Sequence, residues 1–104
     1  MKKILVTGCA GLVGQNLIAR IKNNCNYKVI GIDKHHYNCM IFRDVHPEID
    51  LIEANLAKIG EWENSFNDVD IVVLNHAQIS SLNESDFIEN NIVATENVIN
   101  ICKS

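Results

Sequence analysis

Three glycines and one aspartate have the spacing of a site that holds the pyrophosphate and ribose of a dinucleotide. Gly8, Gly11 and Gly14 follow the apolar run 4–6 directly and precede a stretch with helical periodicity. Gly8 allows a tight turn out of a strand, Gly11 lets the backbone approach a phosphate, and Gly14 lets the helix pack closely. The free N–H groups at the helix start would face the pyrophosphate of a dinucleotide. The residues predicted to surround that pyrophosphate are Gly8, Cys9, Ala10, Gly11, Leu12, Val13 and Gly14.

Asp33 supplies the second half of this pattern. It ends the apolar run 27–33 and lies about twenty residues beyond the last glycine, where an acid accepts hydrogen bonds from the adenosine ribose. A carboxylate there repels a 2′-phosphate and favours NAD over NADP. Lys34 weakens this argument, because a cation can accommodate the same phosphate. We therefore expect NAD as the cofactor, with NADP as the less favoured alternative.

The remaining patterns position these residues within alternating strands and helices. Strands are predicted at 4–6, 27–33, 49–53 and 69–74, the last apolar enough to be covered on both faces. Helices are predicted at 12–24, with Val13, Leu17, Ile18 and Ile21 on the apolar face, and at 59–66 and 84–103. Trp62 and Phe66 are expected in the core, and residues 34–48 are read as an irregular connection.

This alternation predicts an α/β fold. Right-handed crossovers give a partial Rossmann-like, doubly wound parallel sheet of strand order 3-2-1-4, with helices on both faces. The cofactor would lie across the carboxyl ends of strands 1, 2 and 4. With 104 residues the chain has room for one small domain.

Composition excludes several other classes of function. The net charge of −4 and the lack of a basic block argue against nucleic acid as a partner, and no apolar stretch is long enough for a membrane span. The four cysteines form no Cys-x-x-Cys pair, so reduced thiols in a cytoplasmic protein are expected. Cys9 lies at a helix N-terminus, where a thiol pKa can fall, but a small packing residue is the favoured interpretation. The adjacent His35 and His36 make a poor metal pair, and no metal site is predicted.

The motifs together resemble the N-terminal part of the extended short-chain dehydrogenase/reductases, the NAD-dependent epimerase/dehydratase group. Residues 7–14 are similar to that family's Thr-Gly-x-x-Gly-x-x-Gly, and residues 91–98 to its Asn-Val-x-Gly-Thr-x-Asn-Val. Residues 70–80 are similar to its Asp-Val-Val-(Ile)-His-Leu-Ala-Ala-Gln, with the histidine two places later. The resemblance implies NAD, a nucleotide-sugar substrate in the full-length protein, and a homodimer formed through the C-terminal helix.

The resemblance also implies further cofactor contacts. Asn55 stands where the family has an acid near the adenine ring, and Asn97 would be structural. His76 would act as an acid/base or hydrogen-bond the cofactor. The further cofactor-binding residues implied are Asn55, Leu56, Asn75, His76, Ala77 and Asn91.

No residue of this chain is predicted to be catalytic. The family's Tyr-x-x-x-Lys pair is missing, since Gly31 and Ile41 lie four residues after Tyr27 and Tyr37. Residues 1–104 are therefore expected to be the N-terminal part of an NAD(P)-binding Rossmann domain without its catalytic and substrate-binding portions. The alternative is a stand-alone, non-catalytic NAD(P)-binding or regulatory module. An unpaired apolar strand 4 would expose a hydrophobic edge, and this favours the first hypothesis.

Overall fold

The structure, a computed structural model, describes residues 1–77 and 83–103. Strands and helices alternate along it as the sequence predicts. The strands are β1 Lys2–Thr7, β2 Tyr27–Asp33, β3 Asp50–Glu53 and β4 Ile71–Leu74. The helices are α1 Leu12–Ile21, α2 His36–Val45, a 3₁₀ helix Glu61–Phe66, α3 Glu84–Phe87, a π segment Ile88–Val93 and α4 Ala94–Lys103.

The four strands form one parallel sheet in the order β3-β2-β1-β4, which confirms the predicted topology. Leu5 at the centre of β1 is level with Ile30 on one side and Val72 on the other. Because all strands run the same way, the residues that follow β1, β2 and β4 meet at one edge. The predicted site residues therefore converge there.

Side chains alternate between the two faces of the sheet and build two cores. Ile4, Val6 and Val29 face the side covered by α1 and α2, where they pack with Ile18 and Phe42. The opposite face is covered by the 3₁₀ helix and α4, and its members are Leu5, Ile30, Ile32, Leu56, Trp62, Ala94 and Val98. Helices thus cover both faces, and the predicted core position of Trp62 is confirmed.

Helix α1 is shorter than predicted, and three of its four predicted core residues, Leu17, Ile18 and Ile21, pack in the core, whereas Val13 does not. The helix ends at Ile21, and Val13, assigned to the apolar face, is 66% exposed. Gly14 and Ile18 are the buried residues, four apart on one face. Val13 instead lies in the first turn, beside the carboxyl edge of the sheet.

The prediction of an irregular connection at 34–48 was wrong. Residues His36–Val45 form α2, with Cys39 and Phe42 buried in the helix and His46 buried at its C-cap. These three positions follow helical spacing, but polar neighbours hide a pattern that short. Pro47 disfavours helical backbone at His46, where the helix ends.

The C-terminal helix is interrupted rather than regular. The π segment Ile88–Val93 joins α3 to α4, and wider turns shift the helical face relative to a regular α-helix. Along this stretch Asn90, Ala94 and Val98 are buried, four residues apart, whereas Ile88, Ile92 and Ile99 are exposed.

Two shorter elements also differ from prediction. The helix predicted at 59–66 is a 3₁₀ helix that begins at Glu61. Strand β4 begins at Ile71 rather than residue 69, and its first and last residues are exposed, because it lies at the edge of the sheet. Within the described residues, no helix has the length and apolar character that a bilayer crossing requires.

Candidate functional site

A cavity of about 440 Å³ opens at the carboxyl edge of the sheet. It lies among the segments that follow β1, β2, β3 and β4 and is bounded on one side by the π segment and α4. This is where ligands of open parallel sheets bind, at the point where strand order reverses. The predicted site residues that line it are Gly8, Gly11, Leu12, Val13, Asp33, Lys34, Asn55, Leu56, Asn75, His76 and Ala77.

The glycines of the loop after β1 serve different purposes. Gly8 has a φ of +64°, and a Cβ there would lie 2.7 Å from the Cα of His76. A Cβ on Gly14 would lie 2.7 Å from the Cα of Cys9, so α1 starts in direct contact with the loop. Gly11 differs, because its Cβ position has ordinary space, with Gly8 O 3.7 Å away. Gly8 and Gly14 are therefore required by the fold, whereas Gly11 keeps a face of the cavity clear.

The N-terminus of α1 is open to this cavity. Gly11 is the N-cap and provides no side-chain hydrogen bond, and the first turn holds no acidic residue. Leu12 and Val13 line the cavity, and N–H groups of a first turn have no acceptor within the helix. The positive end of the helix dipole is therefore available to an anion.

Asp33 is fixed at the end of β2 by two backbone N–H groups. Its Oδ2 accepts from Ala10 N–H at 3.0 Å and its Oδ1 from His35 N–H at 2.9 Å. The carboxylate therefore joins the glycine loop to the start of α2 while lining the cavity. It has lone pairs left to accept from ribose hydroxyls.

Cys9 and Ala10 belong to the loop without lining the cavity. The Cys9 side chain is fully buried and occupies the space beside Gly31, where a Cβ would lie 2.5 Å from its Sγ. Burial, aided by the nearby Asp33 carboxylate, raises the pKa of the Cys9 thiol far above its ordinary value. The full burial of the side chain within the core confirms the packing interpretation. Ala10 contributes its N–H to Asp33.

His76 is held by hydroxyl groups at both ring nitrogens. Its Nδ1 lies 2.7 Å from Thr7 Oγ1 and its Nε2 lies 3.1 Å from Thr95 Oγ1. Burial lowers the pKa of His76, with Asp33 opposing in part, so the ring is neutral near pH 7. A neutral imidazole with both nitrogens engaged orients the segment after β4.

Residues 4–104 match the sequence model of the NAD dependent epimerase/dehydratase family. The chain belongs to that family. It is 30% identical to a dTDP-glucose 4,6-dehydratase of Haemophilus influenzae, over 100% of this chain and 34% of the relative. The chain thus spans about a third of the length of this relative.

Two solved structures are similar to this chain in fold. A UDP-glucuronic acid 4-epimerase of Bacillus cereus in complex with NAD has a TM-score of 0.82 and 25% identity, over 97% of this chain and 36% of that one. A dTDP-glucose 4,6-dehydratase of Bacillus anthracis in complex with NAD has a TM-score of 0.77 at 23% identity, over 99% and 34%. The second of these likenesses shows the fold alone.

Asn55 and Leu56, which follow β3, line the cavity. Asn55 Oδ1 accepts from Ala57 N–H at 3.0 Å, which leaves the amide NH₂ to donate. Leu56 is buried, and its carbonyl accepts from Asn97 Nδ2 at 2.9 Å. Asn97 thus ties α4 to this loop, the structural role that the family resemblance implied.

In the C-terminal family motif, the asparagine that faces the cavity is Asn90 rather than the predicted Asn91. Asn91 is exposed and does not line the cavity, whereas Asn90 is only 9% exposed and does. Both lie in the π segment, whose wider turns change which residue faces inward. A motif read as a regular helix could not place this residue correctly. Residues 78–80 of the preceding motif lie outside the described residues.

Sequence reasoning did not assign six residues that line the cavity. They are Ile32, His35, Asn38, Ala54, Asn90 and Ala94. Ile32 and Ala54 flank predicted site residues and could have been inferred from the strand ends. Asn38 was not assigned because it lies in α2, a helix that the sequence analysis did not predict.

His36, one of the two adjacent histidines considered as metal ligands, contacts an acidic side chain. His36 Nδ1 contacts the Glu53 carboxylate at 3.0 Å, with Arg43 3.8 Å from the same carboxylate. Among residues 1–77 and 83–103, no three histidine, cysteine or acidic side chains group as a metal site would require.

Proposed function

We propose that this chain binds NAD as the cofactor-holding part of an oxidoreductase that epimerises or dehydrates nucleotide-linked sugars. The observation that carries the proposal is the open N-terminus of α1, which shares one cavity with the Asp33 carboxylate. A pyrophosphate suits the first, and ribose hydroxyls suit the second. Family membership and relatives crystallised with NAD support the same assignment.

When bound, NAD supplies the chemistry of accepting a hydride from a sugar carbinol carbon and later returning it. The residues of this chain bind and orient. Gly11 and the first turn of α1 hold the diphosphate, Asp33 holds the adenosine ribose, and Asn55 donates to the adenine edge. His76, held in place by the hydroxyl groups of Thr7 and Thr95, shapes the wall that follows β4. Proton transfer requires residues other than these.

Asp33 also makes NAD the proposed cofactor in preference to NADP. A carboxylate fixed by two N–H groups cannot turn away from an added 2′-phosphate without losing both hydrogen bonds. Two anions at hydrogen-bonding distance repel one another strongly where water is partly excluded.

The test is thermal unfolding of the 104-residue chain with and without NAD. A ligand at a hundred times its dissociation constant adds about 2.7 kcal/mol to the free energy of unfolding. For a domain of this size, that raises the midpoint by roughly 10 °C or more. NADP at equal concentration is expected to raise it less.

Gly11→Val tests the location of the site. The Cβ of the new side chain has room beside the loop, and the side chain would occupy the space proposed for the pyrophosphate, so the NAD-dependent shift should be lost. Gly60→Ala is the control, because Gly60 lies outside the cavity and its φ of −174° suits any residue. An undiminished NAD shift in Gly11→Val, or none in the wild type, would contradict the proposal.

A second candidate is a non-catalytic NAD-binding module. It is favoured by the lack of lysine four residues after either tyrosine of this sequence. The two candidates differ in whether the protein converts a sugar nucleotide. Incubation with NAD and a UDP- or dTDP-hexose produces a new sugar nucleotide only if this chain is itself a complete enzyme. NAD binding without turnover in the chain alone fits both candidates, so the same assay on any longer product of the gene distinguishes them.

A further inference from the structure

A hydrogen bond crosses the cavity between two of its walls. Lys34 Nζ donates to Asn90 Oδ1 at 2.6 Å, joining the segment after β2 to the π segment. Both residues line the cavity, and Asn90 is buried whereas Lys34 is exposed. The buried amide therefore fixes the end of an otherwise flexible side chain.

Lys34 brings a positive charge to the wall of the cavity beside Asp33. Of the described residues that line the cavity, it is the one lysine or arginine. It directly follows Asp33, whose Oδ2 is bonded to the glycine loop. A ribose bound at this carboxylate would place its 2′ position within reach of a lysine that was free to turn toward it.

We propose that Asn90 sets the NAD preference of this cavity by holding the Lys34 ammonium group away from the ribose 2′ position. The inference rests on the proposed function and adds a specificity determinant to it. Asp33 repels a 2′-phosphate, and Asn90 keeps the Lys34 ammonium group from pairing with that phosphate. The π segment supports this role, because its wide turns bring Asn90 rather than Asn91 into the cavity.

The experiment measures the dissociation constants of NAD and NADP by calorimetry on the 104-residue chain. The quantity compared is the ratio of the NADP constant to the NAD constant. Asn90→Ala releases the lysine, and a new charge-assisted bond to the 2′-phosphate should lower the ratio about tenfold. Asn90→Asp holds the ammonium by an ion pair and should raise the ratio about two- to fivefold.

The double variant Asn90→Ala with Lys34→Met decides the mechanism. Without the ammonium the gain in NADP binding should vanish, and the ratio should return to or above that of the wild type. Asn100→Ala is the matched control, because Asn100 is an exposed asparagine of α4 outside the cavity. Its ratio should equal that of the wild type.

The outcomes separate the inference from the proposed function. An unchanged ratio in both Asn90→Ala and Asn90→Asp would overturn the inference while NAD binding stood. So would a lowered ratio that persisted in the double variant. A wild-type chain that bound neither dinucleotide would overturn both. If Asn90→Ala did not fold, the ratio in Asn90→Asp would decide.

Discussion

Gly14→Ala should destabilise the protein, although alanine is the better helix former. The added Cβ would lie 2.7 Å from Cys9 Cα and 2.8 Å from Cys9 C, and it would also contact Gly8 O. Carbon atoms normally approach to about 3.5–4.0 Å. All three neighbours are backbone atoms, so no side-chain rotation relieves the overlap. Helix α1 must therefore move away from the loop by roughly 1 Å, the shortfall between these distances.

The magnitude follows from two opposing contributions. Overpacking of this kind costs about 1–3 kcal/mol. The gain in helix propensity from glycine to alanine offsets at most about 1 kcal/mol. Because three backbone atoms obstruct the added Cβ, the cost lies in the upper part of that range, and the net loss is about 1–2 kcal/mol. This lowers the midpoint of thermal unfolding by roughly 5–15 °C in a domain of this size.

The assay is thermal and urea unfolding followed by circular dichroism, without ligand. Gly11→Ala is the matched control three residues earlier, with a φ of −76° and open space at its Cβ. Its free energy of unfolding should change by less than about 0.5 kcal/mol. A Gly14→Ala protein as stable as the wild type would refute the reasoning that the loop and α1 are in contact.

Two further predictions concern pH and thiol chemistry. Burial and a neighbouring lysine lower the pKa of His46, and burial lowers that of His76, so the unfolded chain binds more protons than the folded one below about pH 6.5. Stability should be fully present above that pH and fall toward pH 5.5 in urea titrations. His46→Gln should make the fall shallower, and stability that rose on acidification would contradict this. The cysteines divide into a buried pair, Cys9 and Cys39, and an exposed pair, Cys25 and Cys102. Burial raises the pKa of Cys39 to about 11, so a thiol reagent at pH 8 should modify the exposed pair rapidly and the buried pair only on unfolding. Rapid modification of a third thiol in the native protein would refute this.

The parts of the fold carried by strong local signals could be predicted from the sequence. Short continuous apolar runs identified β1 and β2, and the glycine spacing located the turn between β1 and α1. Parallel order then follows from handedness rules. Helix α2 escaped prediction because three buried positions, Cys39, Phe42 and His46, are too few to stand out among polar neighbours.

The candidate site was predictable where a strand end fixes the position of a residue and where a family motif marks it, as at Asn55 and His76. Gly8 and Asp33 occupy positions that a strand end fixes, and both line the cavity. Asn90 could not be distinguished from Asn91, because a π segment changes which residue faces inward and leaves no simple signature in composition. Nor does spacing reveal that Lys34 reaches across the cavity, since that contact joins residues 56 apart.

The hydroxyl group of Thr7 unites two loops of the cavity. It lies 3.2 Å from Val73 O, to which it donates, and 2.7 Å from Nδ1 of His76. It also accepts from Asn75 N–H at 3.1 Å. The glycine loop and the segment after β4 are thus joined before any ligand arrives. A ligand that enters such a preorganised cavity spends less of its binding energy on ordering the chain, so affinity depends on contacts rather than on closure.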